Sequence, residues 1–154
     1  MACNMLDSSL YRNSFSTPIM REIFDDRAII QNILDIEAAL AKTQGKMGDI
    51  PVEAADEIVK KAKVENLNIP RIEEGIICVG HSLVPILKEF QGVCDKNYGE
   101  YVHMGATTQD IIDTAFMMSI KRGCEVIYKN MLETEQLMMD MAKKYRDTVM
   151  AGRS

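Results

Sequence analysis

The hydrophobic positions of this chain recur mostly at three- and four-residue intervals, which is the period of amphipathic helices. The clearest run covers residues 27–47, and Gly48 predicts where it ends. Its apolar positions form a face broad enough to be largely buried: Ile29, Ile30, Ile33, Leu34, Ile36, Leu40 and Met47. We find no alternating strand pattern and no hairpin signal, so the sequence predicts an all-α fold.

Shorter helices are predicted on both sides of this run. Residues 1–16 are polar and serine-rich and are expected to form an arm, whereas Thr17 and Pro18 are a typical N-cap and first position for a short helix. Further helices are predicted over 52–64 and 81–91. The apolar interval between Gly75 and Gly80 fits a buried strand or a helical turn, and we favour the helix.

The longest predicted helix runs from Gln109 to about Asp147 without a proline. At 1.5 Å per residue it would measure about 58 Å, whereas a domain of this size has a diameter of about 30–40 Å. Such a helix requires partners, either further helices of its own chain or other subunits. We therefore expect an N-terminal helical domain over 1–108, followed over 109–154 by the start of a truncated central helical bundle.

Composition restricts the class of partner. The chain has 154 residues, 47% hydrophobic and 27% charged, which suits one folded domain with a core. Its net charge of −5 and lack of a basic cluster argue against nucleic acid as a partner. We find no signal peptide and no stretch of about 18 apolar residues, so we expect no membrane partner and a cytoplasmic location.

Metal and cofactor motifs are absent from the sequence. The four cysteines, Cys3, Cys78, Cys94 and Cys124, form no C-x-x-C pair and have no histidine at metal-ligand spacing. No phosphate-binding P-loop, dinucleotide fingerprint or G-x-S-x-G motif is present. We expect neither a metal nor a cofactor.

Candidate chemistry is concentrated between residues 101 and 115, YVHMGATTQDIIDTA. A polar loop containing His103 leads through Thr107 and Thr108 into the long helix, and a helix start offers free N–H groups to a carboxylate or phosphate. Thr108 is also a good N-cap, so a purely structural role is open. For His81, at the start of an apolar helix, hydrogen-bonded packing is the more common role.

The segment HMGATTQDIIDTA resembles the first signature region of the fumarase/aspartase superfamily, in the branch of adenylosuccinate lyase and 3-carboxy-cis,cis-muconate cycloisomerase. The resemblance covers most of the chain, because residues 15–51 resemble the N-terminal helices of these enzymes and 80–90 the helix with an earlier histidine. The ending DTVMAGRS resembles the approach to their second signature.

This resemblance implies a lyase that performs β-elimination, or the reverse addition, on a succinyl-type substrate and typically releases fumarate. It implies that Thr107 and Thr108 bind a substrate carboxylate, that His103 contacts the substrate and that His81 assists the catalytic acid. The general acid and base of the family would lie beyond Ser154. We therefore expect an N-terminal fragment that is inactive alone and a homotetramer when full-length.

Two short segments depart from the pattern of the family. Thr107-Thr108 replaces the usual Thr-Ser, which adds a methyl group and keeps a hydroxyl. Ser14 and Phe15 replace an Arg-Tyr pair that adenylosuccinate lyases associate with the nucleotide phosphate, which favours a cycloisomerase-like or other succinyl substrate, although Arg12 is near enough to compensate. The alternative to a lyase is a stand-alone helical interaction module whose histidines only pack.

Overall fold

The computed structural model describes residues 4–152, and within that range the chain is helical and contains no strand. The all-α prediction is therefore confirmed. The α-helices are α1 (Arg12–Phe15), α2 (Pro18–Ile23), α3 (Asp26–Met47), α4 (Val52–Lys61), α5 (Ile69–Val79), α6 (Val84–Val93) and α7 (Thr108–Tyr145). Short 3-10 helices lie at Val64–Asn66 and Tyr98–Tyr101.

The ends of α2 and α3 follow from local chemistry and confirm the predicted boundaries to within a residue. The Thr17 hydroxyl accepts a hydrogen bond from the Met20 amide, and Asp25 caps α3 by accepting from the Arg27 amide. Gly48, at φ 83°, ends α3 in the left-handed conformation that glycine adopts without strain.

Two predicted boundaries differ from the structure because side chains replace helical backbone bonds. Helix α4 ends at Lys61 and not at residue 64, since Gln31 of α3 donates to the Ala62 carbonyl and accepts from the Val64 amide. Helix α6 begins at Val84 and not at His81, which lies two residues before the N-cap Leu83 and whose ring accepts from the Val84 amide. The ambiguous interval 75–80 is helical up to Val79, as the last turn of α5.

Close approach of the helices builds the core of the unit that covers Met1–Ser119. At Gly45 an added Cβ would lie 2.6 Å from the Ala55 Cβ, so glycine lets α3 and α4 pack closely. The four largest fully buried apolar side chains of this core are Leu34, Ile58, Leu83 and Phe90.

A buried polar contact fixes the first turns of α7 against α3. Asn32 Nδ2 donates to the Ala115 carbonyl at 3.2 Å and to Ser119 Oγ at 2.9 Å. Asn32 and Ser119 have no solvent exposure, and removal of one partner would leave an unsatisfied buried group worth about 1–3 kcal/mol. This contact sets the position of the helix start that carries Thr107 and Thr108.

The second compact unit covers Ile120–Ser154 and consists mainly of the rest of α7. With 38 residues, α7 is about 57 Å long. This second unit of the chain exposes many large apolar side chains, including Ile127, Tyr128, Met131, Leu132, Leu137, Met138 and Met141. No helix of residues 4–152 is both long and apolar enough to cross a bilayer. The domain boundary after residue 108 stays a prediction.

Candidate functional site

The loop between the 3-10 helix Tyr98–Tyr101 and α7 holds the sequence-predicted site residues in a defined conformation. Val102 anchors it in the core, with 4% of its surface exposed. His103 and Gly105 both adopt positive φ, at 66° and 73°. For a residue with a Cβ this conformation costs roughly 1–2 kcal/mol. The strained backbone at His103 therefore needs a compensating interaction.

That interaction comes from Glu37 in the middle of α3. Its Oε1 lies 2.7 Å from His103 Nδ1, a distance typical of a strong charge-assisted hydrogen bond. The Glu37 side chain is fully buried, whereas the His103 side chain is 19% exposed. The imidazole is thus held by one edge and keeps partial access to solvent.

The environment of Glu37 disfavours its negative charge. Burial raises the pKa of this carboxyl above its ordinary value of 4.5, and the hydrogen bond and charge of His103 offset only part of the effect. Its second oxygen, Oε2, is buried without a hydrogen-bond partner. Both facts indicate that the carboxyl holds a proton more tightly than an exposed glutamate does.

A second side chain of α3 holds the backbone of the same loop. Gln44 Nε2 donates to the Met104 carbonyl at 2.7 Å. Gln44 follows Glu37 by seven residues, so the two lie on one face of α3, about 10 Å apart along its axis. The loop that carries His103 is therefore fixed by α3 at two successive residues.

The start of α7 presents groups suited to an anion. The helix begins at Thr108, one residue before the prediction, so Thr107 and not Thr108 occupies the capping position. Asp110 Oδ2 accepts from the Thr107 amide at 3.3 Å. Within residues 4–152, neither the two threonine hydroxyls nor the backbone N–H groups of Thr108 and Gln109 make a hydrogen bond.

His81 has a structural role that is visible in its contacts. Its Nδ1 accepts from the Leu83 amide at 3.2 Å and from the Val84 amide at 3.3 Å, in the manner of an N-cap side chain. Because this nitrogen accepts, the ring proton belongs on Nε2. In the described part of the chain no hydrogen bond joins His81 to His103, Thr107 or Thr108. Its role in chemistry stays a prediction.

The site loop is an open surface, separate from the main cavity of the first unit. His103, Thr107 and Thr108 lie within six residues, with Thr107 exposed and the other two half-buried. A groove of about 660 Å³ lies between α3, α5, α6 and α7, but these three residues do not line it. Among residues 4–152, no three His, Cys, Asp or Glu side chains are grouped as metal ligands.

Glu37 and Gln44 are the residues of this site that the sequence interpretation missed. Glu37 lies on the buried stripe of α3, three residues after Leu34 and four before Ala41, which are 0% and 2% exposed. A carboxylate in an apolar stripe is a signal that a polar partner is near. The identity of that partner, 66 residues away, is not encoded in local periodicity.

Two solved enzyme structures are similar to this chain. The chain superposes with a TM-score of 0.88 on the β-carboxy-cis,cis-muconate cycloisomerase of Acinetobacter calcoaceticus, at 30% identity, covering 95% of this chain and 35% of that one. A fumarate lyase from Mesorhizobium gives a TM-score of 0.83 at 33% identity, covering 91% and 33%.

Sequence comparison gives the same class. Residues 12–154 match the model of the lyase family, so the chain belongs to this family of the fumarase/aspartase superfamily. It is 37% identical to the adenylosuccinate lyase of Methanocaldococcus jannaschii, covering 91% of this chain and 30% of that protein. It is 38% identical to the N-acetyl-S-(2-succino)cysteine lyase of Enterococcus italicus, covering 100% and 34%. The chain thus spans about a third of these relatives.

Proposed function

We propose that this chain forms part of the active site of a lyase that performs β-elimination, or the reverse addition or cycloisomerisation, on a succinyl-type substrate and typically releases fumarate. Family membership supports lyase chemistry. The observation that carries the site is the start of α7, where two hydroxyls and two backbone N–H groups have no partner within residues 4–152. These donors suit a substrate carboxylate.

The proposed chemistry needs such donors in its transition state. Removal of the proton beside a carboxylate spreads negative charge onto that carboxylate, and fixed donors stabilise charge that develops. Thr107 and Thr108 would bind the carboxylate at the positive end of the helix dipole. His103 would contact the substrate with the imidazole nitrogen that Glu37 does not hold. His81 would support the acid, in addition to capping α6.

The N-terminal arm favours a substrate without a nucleotide phosphate. Ser14 and Phe15 carry no positive charge, which leaves Arg12 as the cation of this arm, and the neighbouring Arg21 guanidinium donates to the carbonyls of Arg12 and Ser16 and to Asn13 Oδ1. A cation committed to three protein acceptors is less available to a phosphate. A succinyl thioether, as in the name of the Enterococcus relative, or a carboxymuconate fits better than adenylosuccinate.

The remaining parts of the site are expected outside residues 1–154. The relatives are about three times as long, and the resemblance assigns their general acid and base to later segments. The exposed apolar side chains of Ile120–Ser154 support assembly into a homo-oligomer, a tetramer when full-length. A monomer by light scattering at micromolar concentration would contradict the oligomer.

The proposed function is tested on the full product of the gene, which comprises residues 1–154 and any residues encoded after Ser154. Product release is compared with and without the substitution His103→Asn: fumarate from a 2-succinyl thioether and from adenylosuccinate, and the open-chain carboxymuconate from a carboxymuconate lactone. We expect release from at least one substrate, fastest without the phosphate, and a loss of at least about tenfold in the variant. No release from any substrate contradicts the proposal, and rapid release by residues 1–154 alone would contradict the remote acid and base.

The rival function is a stand-alone interaction module. The apolar surface of residues 120–152 favours it, since such a surface suits any helical partner. The two functions differ at His103 and Thr107, which only a lyase requires. A natural stop codon directly after Ser154, with fumarate binding absent, would favour the module.

A further inference from the structure

We propose that Glu37 is a positioning residue for an anion site: it holds His103 by Nδ1 and shares one proton with that nitrogen, so that Nε2 presents an N–H to a carboxylate ligand. The ligand part of this inference rests on the proposed function, whereas the coupling of Glu37 to His103 stands on geometry alone. The two residues lie 66 positions apart in sequence and meet at 2.7 Å.

The geometry assigns separate tasks to the two ring nitrogens. Nδ1 faces Glu37 Oε1, and within residues 4–152 Nε2 has no hydrogen bond. Nε2 is not among the buried polar atoms that lack a partner, so it keeps access to solvent in a ring that is otherwise mostly covered. A ring held at one nitrogen and open at the other is oriented before a ligand arrives.

A carboxyl group at position 37 can share a proton with His103 Nδ1 across the 2.7 Å contact. When the pair carries two protons, the shared one can reside on Oε1 or on Nδ1, and in both arrangements the pair is neutral overall and Nε2 keeps its hydrogen. Loss of one proton from the pair leaves a net charge of −1 and removes the hydrogen from Nε2. An anion therefore selects the neutral pair, which can donate to it.

Two further features of the structure fit this assignment. Glu37 Oε2 is buried and unpartnered, an arrangement that opposes a full negative charge on the carboxyl. His103 has a positive φ of 66°, a backbone strain of the kind that accumulates at functional sites and needs a fixed partner. A histidine that only filled space would require neither feature.

Nitrogen NMR of the imidazoles tests the pair directly, because the chain has only two histidines. We expect a proton that is protected from exchange in the hydrogen bond between His103 Nδ1 and Glu37 Oε1, detected through its coupling to Nδ1, and none at His81 Nδ1, which accepts from two amides. The signal should disappear in Glu37→Met and remain in Gln44→Met, a matched change that removes only the contact to Met104. No protected signal in the wild type, or an unchanged one in Glu37→Met, would overturn the assignment.

Fumarate titration then tests what the pair does for a ligand. Bound fumarate should leave Nε2 proton-bearing, and its affinity should fall at least tenfold in Glu37→Met but less in Glu37→Gln, whose amide still holds the ring. A bare Nε2 in the complex, or equal affinity in wild type and Glu37→Met, would overturn the positioning role.

The two proposals fail in different ways. If the imidazole signals behave as expected but fumarate binds neither to wild type nor to Glu37→Met, the proposed function is wrong and the coupling of Glu37 to His103 stands. If fumarate binds but the His103 Nδ1 signal is the same in Glu37→Met as in wild type, the proposed function stands and this inference is wrong. Circular dichroism of each variant verifies that the helices are intact.

Discussion

At the scale of single residues, the site depends on a carboxyl group placed where carboxyl groups are rarely found. Glu37 is 1% exposed, and among the described residues 4–152 its side chain has a single hydrogen-bond partner, His103. Burial of an ionisable group is unfavourable for folding unless a partner compensates, and here the compensation is partial because Oε2 is unpaired. Such a residue contributes to the site at some expense of stability.

This leads to a prediction for the pH dependence of unfolding. Because burial raises the pKa of Glu37 in the folded state above its ordinary 4.5, the folded protein holds this proton more tightly than the unfolded chain does. The stability that comes from this tighter proton binding is therefore complete below pH 4.5 and is lost as the pH rises through the folded-state pKa of Glu37. Glutamine does not titrate, so Glu37→Gln keeps its stability as the wild type loses this contribution. The free energy of unfolding of Glu37→Gln minus that of wild type should therefore rise between pH 4.5 and the folded-state pKa, and stay constant at higher pH.

Urea unfolding at a series of pH values from 4 to 8 measures this difference. Glu65→Gln, at an exposed position, controls for the loss of one negative charge. A difference between Glu37→Gln and wild type that falls as the pH rises would show that Glu37 is stabilised as a carboxylate, contrary to this account.

The candidate site contains residues that local sequence patterns indicate and one residue whose partner they do not. His103, Thr107 and Thr108 were predicted as site residues because a loop joining a helix start has recognisable residue types and resembles a known signature, and their role stays a prediction. Glu37 was missed, although a charged residue in an apolar stripe is a visible signal, and its partner depends on how α3 crosses the loop. Local patterns carry no information on such a crossing.

At the scale of helices, the sequence predicted most elements because their ends are determined by neighbouring residues. Thr17, Asp25 and Gly48 act through contacts within four residues, and these ends were correct. The end of α4 was wrong because Gln31, from another helix, takes the bonds that would have continued it. Errors thus occur where a tertiary contact replaces a local one.

His81 gives a prediction at this scale, since it caps α6 through Nδ1. His81→Ala should lower the free energy of unfolding by about 1 kcal/mol, the typical worth of an N-cap side chain. His81→Asn should restore most of that stability, because asparagine is a good cap. Thermal unfolding of both variants measures the effect. Equal stability of His81→Ala and wild type would contradict the capping role.

The same pair of variants separates packing from chemistry. If His81 also assists the reaction, His81→Asn should be as stable as wild type and yet lose fumarate release in the assay proposed above. A His81→Asn variant that is both stable and fully active would limit this histidine to a structural role.

At the scale of the whole chain, two compact units have different surfaces. Met1–Ser119 has its own core, whereas Ile120–Ser154 leaves large apolar side chains exposed along α7. The sequence indicated this imbalance, because a helix of about 57 Å exceeds the diameter of the domain that begins it. The partners that cover the helix could not be read from these residues, since apolar periodicity describes a face and not its occupant.

The measurement that most directly tests the account is calorimetric titration of fumarate into wild type, Thr107→Val and Thr114→Val. Valine keeps the shape of threonine and removes the hydroxyl. Thr114 is the matched control, because it is exposed in the second turn of α7 and its hydroxyl bonds, within residues 4–152, only to the Asp110 carbonyl. The account predicts that Thr107→Val weakens binding by about 1 kcal/mol, roughly fivefold, while Thr114→Val binds as wild type does. Equal affinities in all three proteins would contradict the claim that the start of α7 binds the carboxylate.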